Sequence, residues 1–128
     1  MAGRRSCPLI RAVFIVMDEG RLPTSLYVDA VLKQCEIDFI PYYVLQKGEH
    51  ASGVILAKLN ALDGTAALRM QQRDFMTGQL GWTDALSEDK VEEAKADEYI
   101  ARSKQRDPDL WVIEFESRDL INPFEKAG

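Results

Sequence analysis

One histidine and two cysteines occur among the 128 residues, which leaves little material for soft-metal or redox chemistry. Cys7 and Cys35 allow one disulfide at most, far from the framework that staples a small secreted domain. No C-x-x-C pair, G-x-G-x-x-G run or G-K-[ST] loop is present, so the short cofactor signatures are missing as well. No metal and no cofactor is expected. Long apolar runs are also lacking. Nothing approaches the ~20 residues of a membrane-spanning helix. The stretch from Ala12 to Met17 is bounded by Arg11 before it and by Asp18 and Glu19 after it, which excludes the apolar core and cleavage site of a secretory signal. With no membrane and no export signal, the expected location is the cytoplasm, with reduced thiols.

Positive charge is in deficit. Sixteen Lys and Arg face 21 Asp and Glu, a net charge of -5. Residues 1–21 hold Arg4, Arg5, Arg11 and Arg21 against Asp18 and Glu19, so the other 107 residues carry 12 basic and 19 acidic groups, a net of -7. An acidic body repels phosphate, which argues against a nucleic-acid partner. What remains is ordinary: 46% hydrophobic and 29% charged residues in a length suited to one core.

Residues 1–20 read as an extension, and two readings stay open. Val13 to Met17 could form a short strand. Alternatively Met17 is the true start and what precedes it is disordered or over-called. From Thr24, a fair N-cap, Val28, Val31, Leu32 and Cys35 recur at helical spacing and predict a helix over 25–36, with Cys35 a small core residue. Because Pro41 removes a ladder donor, Phe39 to Gln46 reads as an edge strand or as a strand whose pairing starts after Pro41. Gly53 to Asn60 is apolar on both alternating faces and reads as a central strand. Asp63-Gly64 suits a short hairpin into a strand over 65–72. These three strands are expected to form an antiparallel meander.

Residues 74–86 have no clean period and read as a packed-down loop. Ser87, followed by Glu88 and Asp89, should open a helix that runs to Arg106 before Pro108. Its apolar stripe (Ala96, Tyr99, Ile100, Ser103) is short, so it should lie half solvated. Leu110 to Ser117 alternates, with Trp111, Ile113 and Phe115 inward and Glu114 and Glu116 outward. The residues from 118 on look like a frayed tail, with Leu120, Ile121 and Phe124 as the residues that could touch the body. The fold expectation is α+β: a two-layer sandwich of a mainly antiparallel four-stranded sheet with two helices, in the order α-β-β-β-α-β, with the option of a strand before the first helix. The domain spans 21–119, with a tail over 120–128.

Candidate chemistry is sparse. Glu114 and Glu116 leave one face of a strand and, with Asp109 and Lys58, could assist a divalent-metal hydrolase or nuclease, although the outer face of a sheet needs polar residues anyway. His50 stands alone in a turn beside Glu49, with no serine or cysteine in a nucleophile motif. Tyr42 and Tyr43 on the edge strand, and Trp82 in a glycine-flanked loop, are the candidates for partner contact.

Four segments carry a resemblance. They are Arg21-Leu22-Pro23-Thr24; Lys47-Gly48-Glu49 ahead of Gly53-Val54-Ile55-Leu56-Ala57-Lys58; Leu62-Asp63-Gly64; and Arg106-Asp107-Pro108-Asp109-Leu110-Trp111-Val112-Ile113-Glu114. Together they resemble an uncharacterised, mainly alphaproteobacterial family, domain of unknown function 1491, over residues 21 to 119. The stretch from Glu36 to Phe39 departs from that pattern by lacking a glycine. The resemblance implies a small cytoplasmic protein and supplies no activity, cofactor or catalytic residue. The leading expectation is a non-enzymatic protein-interaction or regulatory module whose partner is another protein or a second copy of the chain. The metal-assisted hydrolase and the nucleic-acid binder are the alternatives.

Overall fold

The computed structural model describes residues 23–74 and 76–127, so Cys7 and the strand expected at Val13 to Met17 lie outside the described residues. Helix α1 (Thr24–Ile37) buries Val28, Val31, Leu32 and Cys35, the stripe legible in the sequence. Its entrance differs from expectation. Thr24 does not cap the helix; its hydroxyl donates to Gly53 O at 3.1 Å. The amides of Thr24 and Ser25 donate to the carbonyls of Ala51 and His50, so a distant loop satisfies the first orphan donors. The exit is a Schellman turn: Ile40 N donates to Cys35 O and Phe39 N to Glu36 O, with Phe39 at φ +60°.

Five further strands and two helices follow strand β1 (Tyr42–Gln46): β2 (Ile55–Asn60), β3 (Thr65–Arg73), β4 (Leu80–Asp84), β5 (Val91–Glu92), α2 (Glu93–Arg106), β6 (Trp111–Glu116) and α3 (Pro123–Ala127). The α+β class and the mainly antiparallel sheet hold, while the sheet is larger than expected, open and mixed. Its order is β1-β6-β2-β3-β4, with β5 pairing the start of β3. β2 and β3 form the expected hairpin, turning at Gly64 with φ +90°. β1 does not join them in a meander. β6 inserts between β1 and β2, antiparallel to the first and parallel to the second. The reason is burial on both faces: Trp111, Ile113 and Phe115 on one side and Val112 on the other are each at most 4% exposed, so β6 belongs at the centre.

The same two-sided apolarity changes the layering. Ile55, Ala57, Leu59, Trp111, Ile113 and Phe115 pack against α1 on one face. Leu56, Ala66, Leu68 and Val112 pack against Val91, Ala96 and Ile100 on the other. Helices therefore cover both faces, giving three layers where two were expected. The segment read as a loop contains β4, which pairs with β3 from Arg69↔Asp84 to Arg73↔Leu80. The second helix starts six residues later than its N-cap signal, because Val91 first pairs with Ala66 and is buried as strand.

Residues beyond 119, read as a tail, fold back. Asn122 caps the helix: its Oδ1 accepts from Phe124 N and its Nδ2 donates to Glu125, with Pro123 at the first helical position. Phe124 is fully buried, stacked on Trp82 (centroids 5.5 Å apart, 19°) and edge-on to Phe115. Full burial of such a ring contributes about 2–3 kcal/mol, so α3 is part of the core.

Candidate functional site

Four places bring chemistry-bearing side chains together. The first is a knot at the entrance of α1. Glu49 N donates to Asp109 O, the Trp111 indole donates to Glu49 O at 2.8 Å, and Gln46 Nε2 reaches the carbonyls of Asp107 and Leu110. A Cβ at Gly48 would overlap Asp109 O and the Trp111 ring, and one at Gly53 would sit 2.6 Å from the same carbonyl. Three of the four segments that carry the family resemblance meet here, and their glycines are required by close backbone approach. Ser25 Oγ and His50 Nδ1 lie 2.7 Å apart at the rim. The neighbouring Glu49 carboxylate accepts from Ala51 N, Ser52 N and the Ser52 hydroxyl, contacts that hold it below the usual carboxylate range. It closes its own turn rather than orienting His50, and the first two helical amides are already taken by carbonyls. The pair ties the loop to α1, and among the described residues it has neither the orienting group nor the oxyanion donors of a nucleophile site.

The second is an ionic cluster under α2. Lys58, 2% exposed, places its ammonium 2.8 Å from Glu93, 2.7 Å from Asp97 and 3.6 Å from Glu114. Asn60 Nδ2 donates to Glu93 and Glu114. Burial alone would lower the lysine pKa, but the carboxylates outweigh it and raise it, so Lys58 is a locked cation. One ammonium among three carboxylates leaves the site acidic, and an approaching anion would be repelled.

The four residues named for the hydrolase reading do not converge. Lys58 and Glu114 are register neighbours and meet. Glu116 accepts the Tyr43 hydroxyl at 2.9 Å. Asp109 is exposed beyond the opposite end of β6, roughly 20 Å from Glu116 at ~3.3 Å per residue. Among the described residues, no group of three or more His, Cys, Asp or Glu side chains is arranged to hold a metal ion. Glu93 and Asp97, the main partners of Lys58, went unnoticed in the sequence. A lysine and an asparagine within an otherwise fully apolar strand were the available signal.

On the opposite face Arg69 pairs with Asp84 at 2.8 Å and with Glu125 at 2.9 Å, which joins β3 to β4 and α3. Those carboxylates raise the Arg69 pKa further, and the guanidinium holds Glu125 below the usual carboxylate range. A cleft of about 560 Å³ opens beside them, between Leu59, Ala67, Leu120 and Glu125. Its only cation is already neutralised.

The fourth place is the free side of β1. Within the described sheet this strand pairs with β6 alone. Glu116 N donates to Pro41 O, so by antiparallel alternation the main-chain groups of Tyr43 turn to β6 and those of Tyr42 and Val44 turn outward. The strand contains no charged residue to guard that side. Exposed apolar residues lie on it and shortly before it in the chain: Tyr43 and Val44 on the strand, Ile37 and Phe39 ahead of it, with Phe39 90% exposed. Tyr42 packs on the first core and donates to Glu36 on α1, while Tyr43 donates to Glu116 on the other face, and each carboxylate raises its phenol's pKa. Trp82 lies elsewhere, half-buried against Phe124 and the first core. The structure thus brings Tyr42 and Tyr43 to one edge and Trp82 to the packing of α3. No helix among the described residues is long and apolar enough to cross a membrane.

Comparison with known proteins agrees with this architecture. The family model described as "Protein of unknown function (DUF1491)" matches residues 22–125. The crystal structure of a DUF1491 family protein from Caulobacter crescentus is 30% identical with a TM-score of 0.69, covering 80% of this chain and 94% of that one. The NMR structure of a DUF1491 family protein from the same organism is 29% identical, with a TM-score of 0.68 and coverage of 80% and 91%. Protein Atu0922 from A. tumefaciens shares the fold at 24% identity, with a TM-score of 0.61 over 77% of this chain and 87% of that one. None of the curated proteins matches.

Proposed function

The chain belongs to the DUF1491 family of proteins of unknown function, and on that premise, with no activity to carry over, we propose that it is a protein-interaction module that receives a partner strand on the free edge of β1. The observation that carries the reading is the combination at that edge: outward main-chain groups on Tyr42 and Val44 beside exposed Tyr43 and Phe39. Main-chain pairing would supply affinity, and the alternating side chains would supply selectivity. Phe39 adds weight. A non-glycine residue at φ +60° costs about 1–2 kcal/mol, and this one spends its side chain on solvent. An exposed aromatic ring in a strained position beside an unpaired strand suits a contact surface better than it suits stability.

The paired cations support the same reading by contrast, since Lys58 and Arg69 are consumed by holding helices to the sheet. The test uses Val44→Pro. Its N–H faces outward, so proline there deletes a donor to the partner and leaves the ladder to β6. Affinity capture from an alphaproteobacterial lysate should recover a stoichiometric protein with the wild-type chain and lose it with Val44→Pro, with Val44→Lys as the second edge-blocking variant. Absence of any stoichiometric partner, together with a strictly monomeric mass in light scattering, would refute the reading.

A further inference from the structure

The partner's chemistry can be read from the two carboxylates that flank the edge. Glu36 reaches Tyr42 over the α1 face, and Glu116 reaches Tyr43 over the α2 face. Consecutive residues of a strand point to opposite faces, so the edge carries one carboxylate above it and one below. Neither has an ion-pair partner among the described residues, although Lys33 and Arg118 are nearby in the chain and exposed. Glu93, Asp97 and Glu114, in contrast, all face Lys58.

Resting on the edge-docking reading above, we propose that the strand received by β1 is a basic, extended segment of another protein, with cationic side chains at two consecutive positions. One would meet Glu36 and the next Glu116. Reach permits this. Adjacent strands lie ~4.8 Å apart, which puts Glu116 on β6 about 10 Å from the incoming backbone, within the combined length of an arginine and a glutamate. The path crosses the exposed Tyr43 ring, where a guanidinium can stack before it meets the carboxylate. Apolar residues on either side of the cationic pair would cover Val44 and Phe39. A second copy of this chain fits less well. Two β1 strands pairing about a twofold axis would bring Glu116 towards Glu116 and Glu36 towards Glu36, like charges with no cation between them.

The probes are three capped hexapeptides, Thr-Val-Arg-Arg-Val-Thr and its Gln-Gln and Glu-Glu counterparts, titrated into the full chain with amide shifts recorded by NMR. The arginine peptide should shift the Tyr42 and Val44 amides and bind roughly tenfold more tightly than the glutamine peptide at low salt. The advantage should shrink in high salt, and the glutamate peptide should not bind. The double variant Glu36→Gln, Glu116→Gln should keep its melting temperature within a few degrees and lose the preference for arginine. Equal binding of the arginine and glutamine peptides at these amides would overturn the charge assignment while leaving edge docking intact. So would concentration-dependent dimerisation through β1 in sedimentation. If no peptide perturbs Tyr42 or Val44, edge docking fails, and this assignment fails with it.

Discussion

The Lys58 cluster and the free edge of β1 are built to opposite rules. In the Lys58 cluster under α2, one ammonium, three carboxylates and a carboxamide satisfy each other around a lysine with almost no exposure. Along β1, two residues turn main-chain groups to solvent, aromatic rings stand exposed, and two carboxylates lack a cation. Charge density alone would have put function at the first place. The difference between the two teaches that a saturated cluster serves the fold, here by pinning α2 to β2, while the proposed recognition rests on groups left without partners.

The largest test of this contrast is Lys58→Ala. It leaves a cavity and Glu114, only 15% exposed, without its cation. The expected loss is about 3 kcal/mol in denaturant unfolding, below the upper range for broken buried pairs because Glu93 and Asp97 can turn to water. Peptide binding at β1 should be unchanged. The alkaline limb follows by linkage. The Lys58 pKa is raised in the folded state, so its contribution is complete below its ordinary value of 10.5 and fades as pH climbs through the raised one. A Lys58→Ala variant as stable as the wild type would mean that the cluster is not a pin.

Phe39→Gly comes next and should move stability the other way. Relief of the left-handed strain, reduced by the extra freedom glycine gives the unfolded chain, should raise stability by about 0.5–1 kcal/mol. The same change should weaken partner capture. A variant that gains stability and keeps full capture would remove Phe39 from the contact surface.

The smallest effect belongs to the second pin, Arg69 with Asp84 and Glu125, which is a quarter to a third exposed. Arg69→Ala should cost about 1 kcal/mol or less, with a clear dependence on salt. The Glu125 pKa is lowered in the folded state, so its contribution is present above the ordinary carboxylate value of 4.5 and lost as pH falls through the depressed one. Acid should loosen α3 as pH falls through that depressed value, reported by the Trp82 indole stacked on Phe124. An indole signal that stays flat across that range would show that the ion pair does not hold α3.

Local features of the fold were legible in the sequence. The stripe of Val28, Val31, Leu32 and Cys35 located α1, and the two-sided apolarity of Ile55 to Leu59 placed β2 at the centre. Long-range features were hidden. Nothing near Trp111 says that β6 enters between β1 and β2, since pairing is settled by which strands must be buried on both faces. The Lys58 partners lie 35 and 39 residues away, beyond any local pattern. β4 escaped because Gly81 and the half-buried Trp82 break the alternation of a strand. α3 was within reach, for Asn122-Pro123-Phe124-Glu125 spells a capped helix start. The edge aromatics Tyr42 and Tyr43 were identified from sequence. Phe39 was signalled only by the missing glycine, whose place it takes at φ +60°.

Amide hydrogen exchange at β1 in the free chain, at low micromolar concentration, tests the central claim most directly. An open edge predicts that the Tyr42 and Val44 amides exchange orders of magnitude faster than the amide of Tyr43, which faces β6. Equal, strong protection at all three positions would show that the edge is already covered, and would contradict the account of β1 as the surface left open for a partner.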